Sequence, residues 1–416
     1  MTSYKTKILG YIIIICTTLI LPLQSFAQWS NSYNDNIKTI RTIVNDDWLL
    51  SPILKLNSDD ILTISFDEMS HNYNRFTYHI THCNSNWEPS DLYDSDYIEG
   101  FNDMPINDYE NSINTTFEYS HYTFCIPNEE TSLKLSGNYI LEIKDEDGNT
   151  VADTKFAVTE ELATIGITVS SNTEIDVNST HQQVSFTVNH SKLRVINQSK
   201  EIIPYVIMNR NIYNAVSGFA PTYKSNGKME YLHCKELIFD AGNEYRRFEI
   251  IDMYDYAQNV DRISFQDPYY HATLFTDNPH ITYRYDHDNN GRYLIRNHNS
   301  NNSDIESDYL YIDFTLSMSK QYSGDIYLRG DFSGNAVTDQ WKMEYDDSKK
   351  AYTITALLKQ GAYNYQYILV DNNNANSSET AKTEGDCYET KNEYMVLVYY
   401  RETGSRYDRL VGISGK

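Results

Sequence analysis

Positive charge is scarce in this sequence, cysteine is scarcer, and apolar runs long enough to cross a bilayer are missing. Against 58 acidic side chains stand 34 basic ones in 416 residues, a formal net charge of −24. So acidic a chain is not drawn to nucleic acid or to an anionic membrane surface, and a charged partner should be basic. The same charge also serves simply to keep a protein soluble. Five cysteines are too few for a scaffold built on disulfides. There is no G-x-S-x-G, no H-E-x-x-H, no C-x-x-C and no phosphate-cradling glycine loop, so the common hydrolase, zinc, redox and nucleotide signatures are absent. Helical periodicity is nearly absent, and no repeat at a fixed short period points to a solenoid or propeller.

The one apolar block lies at the start. Lys5 and Lys7 precede 14 residues from Ile8 to Leu21, and Ser25-Phe26-Ala27 offers a small-x-small cleavage site. A spanning helix needs about 20 apolar residues, so residues 1–27 read as a secretory signal peptide. A lipoprotein leader does not fit, because Cys16 lies inside the apolar block behind Ile15. Cleavage after Ala27 leaves Cys83, Cys125, Cys234 and Cys387. In an oxidising compartment Cys83 with Cys125 is the candidate disulfide, and independent buried thiols are the alternative.

What is present is alternation. "YLYIDFTL" places Leu310, Ile312, Phe314 and Leu316 on one face, and "VSFTV" does the same with Val184, Phe186 and Val188. Asp147-Gly148 and Asn290-Gly291 have the chemistry of hairpin turns, the first between "GNYILEIK" and "TVADTKFAV", the second between "ITYRY" and "RYLIRN". The best short helix is "EPSDLY", with Pro89 in its first turn. The chain is too long for a single sandwich core of about 100 residues, so tandem immunoglobulin-like or fibronectin-like β-sandwiches are expected. Boundaries near "TEELAT" and within "NHNSNNSDIESD" give an N-terminal sandwich over 28–158, a middle one over 159–302 and a C-terminal one over 303–416.

Three groupings approach a site. His79, His82, Cys83 and His121 are metal-ligand types, but in a strand His79 and His82 point to opposite faces, as do His82 and Cys83. "DHDNNGRYLIRN" matches the first half of an EF-hand loop and ends on Asn297 where a Glu is required. Acidic pairs such as Asp145/Asp147 suit a glycosidase only at a separation that sequence does not give. "HCNSNWEPSDLYDSDYIEGF", residues 82–101, is the most unusual stretch: Trp87, Tyr93, Tyr97 and Phe101 are set among five acids with no Lys or Arg.

Two resemblances give these patterns a context. "IYLRGDFSGNAVTDQWKMEY" and "AYTITALLKQGAYNYQYILVD" are similar to early-set, glycogen-binding-like domains, with the Gly330-Asp331-Phe332 turn in place. The Trp that stacks on glucan in sugar-binding members would closely follow Phe332, whereas the nearest here is Trp341. The longer run 82–101, with "INDYENSINTTFEYSHYTFCIPN", "LSGNYILEI", "AGNEYRRFEI", "LKQGAYNYQY" and "EGDCYETKNEYMVLVYYRETGSRYDRLVG", resembles the plug proteins of the type IX secretion system from about residue 36 to the C-terminus.

That resemblance implies a non-enzymatic periplasmic protein without cofactor or metal. It would be bound to the giant outer-membrane β-barrel translocon and would reversibly occlude its pore while no cargo passes. Large barrels enclose a wide channel, so a seal is physically required. Under this reading Trp87, Tyr93, Tyr97 and Phe101 form a docking loop oriented by the surrounding carboxylates. The alternative is that Trp87 and Phe101 cover the end of the first sandwich. Two other functions are kept in view, a glycan-binding protein using the C-terminal domain and a polysaccharide hydrolase with paired carboxylates in a cleft.

Overall fold

The computed structural model describes residues 29–416 except 256, 257, 372 and 373, and only the backbone of 374–378. The expected signal peptide, residues 1–27, lies outside the described residues. No described helix is long and apolar enough to cross a membrane. The chain is almost entirely β, and its strands form three two-sheet units, each around its own core.

The first unit runs from Ser30–Ser32 to Thr150–Thr159. One sheet orders Ser30–Ser32, Thr150–Thr159, Gly137–Lys144, Phe76–Cys83 and Met104–Ile106, with Ile53–Lys55 added in parallel. The facing sheet orders Ile37–Val44, Leu62–Glu68, Ser120–Ile126 and Tyr109–Asn111. Between them lie Ile64, Phe66, Tyr78, Ile80, Tyr139 and Leu141. Full burial of such side chains contributes roughly 1.5–3 kcal/mol each. The Asp147-Gly148 turn joins Gly137–Lys144 to Thr150–Thr159 as expected, with Gly148 at φ 83°.

Beyond residue 159 the chain departs from a simple succession of domains. Ile202–Met208 pairs not with a local partner but with Tyr394–Tyr400, which pairs with Arg409–Gly415. That sheet covers the one containing Thr164–Ser170, His181–Asn189 and Lys228–Tyr231. The third unit is inserted between Ile238–Asp240 and Tyr394–Tyr400. It has one sheet around Gly361–Asp371, which pairs with Arg246–Ile250, Tyr293–Ile295 and Gly324–Arg329, and another ordered Val260–Gln266, Tyr269–Leu274, Tyr309–Ser317, Ala351–Lys359 and Glu344–Asp346. The expected boundary at 302/303 is therefore corrected: strands from 246 onward belong to the third unit, and the last two strands return to the middle one.

Burial explains the return. All seven residues of Tyr394–Tyr400 are buried, because one face, with Val396 and Val398, fills the middle core. The other face, with Met395, Leu397 and Tyr399, packs on Trp29 and Ala157 of the first unit. A strand covered on both sides reads as a continuous apolar run, and "YMVLVYY" is one.

Two local expectations also change. Residues 281–285 form no strand, so Asn290-Gly291 is a turn without its hairpin, and Tyr293–Ile295 pairs instead with Gly361–Asp371. The short helix is Asp94–Tyr97, just beyond "EPSDLY", while Pro89 bridges to Cys83.

Candidate functional site

The loop 84–103 is built to hold its shape. The Asp94–Tyr97 helix is closed at its start by Asp96, whose carboxylate accepts the Tyr93 N–H at 3.0 Å. Asn102 donates to the Ile80 carbonyl at 2.9 Å and accepts the Ile80 N–H at 2.9 Å, tying the far end of the loop to strand Phe76–Cys83. Gly100 takes φ 93° so that Ile98–Gly100 can pair with Thr131–Leu133, and a Cβ there would lie 2.0 Å from the Glu130 carbonyl.

The four expected docking aromatics separate on this frame. Tyr93 is 77% exposed and Phe101 64%. Glu99, Glu129 and Glu130 lie exposed around Phe101, whose N–H donates to the Glu130 carbonyl at 2.9 Å. Tyr97 is 3% exposed, with its hydroxyl donating to Ile80 O at 3.0 Å and Asp94 Oδ1 at 2.7 Å, so it is a buried brace and not available to a partner. Trp87, at φ 65°, is half-buried edge-on against Trp29 at 6.0 Å in the seam between the first and middle units. Surrounding carboxylates are partly committed: Asp96 is paired with Arg406 at 3.0 Å, while Asp91 and Glu99 are exposed.

The expected Cys83–Cys125 disulfide is not made. Both are free thiols, on strands of facing sheets, and Cys125 shares its polar contact with Thr63 at 3.6 Å while Cys83 donates to Thr81 O at 3.7 Å. Burial pushes the Cys83 thiol up to about 12.

The metal-ligand types disperse too. His79 meets Asp103, His82 meets Ser90 and the Ser136 carbonyl, and His121 meets Asp67. Among the described residues no group of three or more His, Cys, Asp and Glu is placed to hold a metal ion. In the EF-hand-like loop, Asp286 pairs with Arg247 at 2.6 Å, and Asp288 accepts the Tyr245 N–H and is pushed up to about 6 by burial. In the third unit, Phe332 packs edge-on to Trp341 at 5.3 Å and Tyr363 at 5.6 Å. Trp341, Tyr363, Tyr365 and Tyr367 are all buried, so none of them offers a face to a sugar ring.

Sequence reasoning missed the ionic seam between the first and third units. Asp67 and Lys359, both with fully enclosed side chains, meet at 2.6 Å. Asp67 also accepts from His121 at 2.6 Å and Tyr309 at 2.7 Å. Lys359 lies 4.1 Å from the centre of the Tyr119 ring and donates to Asp304 O at 2.6 Å. Burial alone would raise the Asp67 carboxyl; Lys359 and His121 outweigh it and hold the group down to about 2. A bulge in Ile37–Val44, with Thr39 at φ 49°, turns Thr39 to Tyr309 at 2.5 Å and Arg41 to Asp304 at 2.5 Å. A second ionic knot, Arg246 between Glu384 and Asp277, lies inside the third unit. No local motif announces either, since their members are far apart in sequence.

The fold therefore defines a class, the multi-sandwich proteins whose units are fused by aromatic and ionic seams into one body. Residues 37–160 match the family described as type 9 secretion system plug protein, first domain, which supports the type 9 secretion system plug protein family for this chain. Its structure is similar to the crystal structure of a hypothetical protein from Parabacteroides merdae, with 36% identity, a TM-score of 0.91, and coverage of 94% of this chain and 99% of that one. No curated protein matches the chain. That match points to a role in type 9 secretion.

Proposed function

We propose that this protein is a periplasmic plug that reversibly occludes the outer-membrane translocon of the type 9 secretion system while no cargo passes, without a bond-making step. The observation that carries the reading is the match of residues 37–160 to the plug first domain, the segment that includes the loop with Tyr93 and Phe101. Physical features support it. Three sandwiches joined by buried contacts form a stiff stopper, and a pre-shaped surface loses little entropy on docking. Tyr93 and Phe101 stand out from a pinned loop as aromatic anchors. Exposed acids beside them favour a basic rim on the partner and make the contact sensitive to salt.

The test is affinity isolation of the tagged mature protein from solubilised outer membranes, with and without high salt. Co-recovery of a very large barrel protein at low salt supports the reading. A deletion strain should admit large antibiotics or dyes only while the translocon is present. An intact permeability barrier in that strain, together with no co-isolated barrel, would overturn it.

A further inference from the structure

Three arginines, one from each unit, converge on a single small cavity where the units meet. Arg41 follows the bulge in the first unit, Arg210 follows strand Ile202–Met208 of the middle unit, and Arg292 precedes strand Tyr293–Ile295 of the third. All three line a cavity of about 80 Å³ together with Trp48, Tyr293 and Asp331. In so acidic a chain, walls with three guanidinium groups and one carboxylate are a local reversal of charge.

Each guanidinium is only partly engaged. Arg41 holds Asp304 at 2.5 Å and Arg292 holds Glu393 at 2.7 Å, but Arg210 has only Asp331, at 3.4 Å. The Nε of all three is buried and meets no hydrogen-bond partner among the described residues. Arg210 and Arg292 have side chains 10% and 7% exposed. A buried donor left unpaired costs about 1–3 kcal/mol, more when charged. Three in one place ask for an acceptor. No described residue supplies one.

Arg210 is also held in place at a cost. Asn209 and Arg210 are consecutive left-handed residues, at φ 49° and 57°, a conformation that non-glycine residues adopt only when their surroundings impose it. The Trp29 indole N–H fixes the turn by donating to the Arg210 carbonyl at 2.7 Å. Burial pushes the Arg210 guanidinium down from its ordinary value and Arg292 adds to that push, against the pull of Asp331; an anion placed here would oppose both.

We propose that this junction is a binding site for a compact free oxyanion, phosphate, sulfate or a small carboxylate, which bridges the three sandwiches. The lining sets the class: three guanidinium groups against one carboxylate, around a small cavity of about 80 Å³, suit a compact anion. Guanidinium forks suit its oxygens. The inference is independent of pore sealing.

The test is the thermal midpoint of the mature protein titrated with phosphate, sulfate or acetate at constant ionic strength, beside Arg210→Gln and Arg292→Lys. Phosphate and sulfate stabilise many proteins by exclusion from their surfaces, so the variants supply the baseline. The expected result is a saturable rise in the wild type, absent in Arg210→Gln and needing at least tenfold more anion in Arg292→Lys. The anion that saturates lowest identifies the ligand. Selenate soaked into crystals should give an anomalous peak between Arg210 and Arg292, a readout that survives even if a variant fails to fold. Identical responses in all three proteins, or no selenate peak in the cavity, would overturn the site.

Discussion

Lys359 Nζ lies 2.6 Å from Asp67 Oδ2, with both side chains fully enclosed between the first and third sandwiches. Removing one partner strands the other charge, which typically costs about 3–5 kcal/mol, whereas replacing both with apolar groups is often neutral. Lys359→Met should therefore destabilise by about that amount in denaturant unfolding. Asp67→Leu with Lys359→Met should recover most of the loss. A double variant as unstable as the single one would show that the wider network through His121 and Tyr309 matters more than the pair.

Two carboxyls, the enclosed Asp67 and the half-buried Asp288, should make stability depend on pH in opposite senses. Asp67 is held down to about 2 from an ordinary 3.8, so its contribution is present above about pH 4 and lost as pH falls towards 2. Asp288 is pushed up to about 6, so the fold holds its proton more tightly than the unfolded chain does, and stability falls as pH rises from about 4 through 6. At pH 8 Asp288→Asn should stabilise by about 1–3 kcal/mol, its amide oxygen still able to accept the Tyr245 N–H. Denaturant midpoints measured from pH 3 to 8 check both, and a flat difference between wild type and Asp288→Asn would count against the second.

What alternation could reveal, it did. Leu310, Ile312, Phe314 and Leu316 are buried together, as are Val184, Phe186 and Val188, because a strand with one face in a core must repeat every second residue. Periodicity names a face and not a partner. Nothing local could say that Ile202–Met208 would pair with Tyr394–Tyr400, so the insertion of the third unit into the second was hidden. The loop 84–103 was legible as an anomaly of composition, yet burial divided its aromatics: Tyr97 turns inward because its hydroxyl has Ile80 O and Asp94 to bond. The Asp67–Lys359 seam looked like two ordinary charges.

The cysteines should behave as separate thiols. The mass of the unreduced mature protein is expected to match four thiols, without the 2 Da deficit of one disulfide. Cys83, with its thiol pushed up to about 12 by burial, should resist alkylation at pH 8 until the protein unfolds, since the thiolate is the reactive form. A Cys83–Cys125 crosslink in peptide maps of the native protein would contradict this.

The exposed aromatics give the sharpest check on the proposed docking to the translocon. Tyr93 and Phe101 are outside the core, so Tyr93→Ala and Phe101→Ala should leave the thermal midpoint nearly unchanged; surface substitutions of this kind usually shift stability by less than about 0.5 kcal/mol. Anchor residues typically cost about 2 kcal/mol or more of binding when truncated, so the double variant should recover at least tenfold less barrel from solubilised membranes. Gly100→Ala probes the same loop differently. Its Cβ would meet the Glu130 carbonyl at 2.0 Å, forcing Ile98–Gly100 away from Thr131–Leu133 and Phe101 with it. Lost recovery in Gly100→Ala, with Phe101 itself still present, would show that the loop acts through its fixed shape. Unchanged recovery in both the double variant and Gly100→Ala would move the contact to another face of the molecule while leaving the sealing role standing.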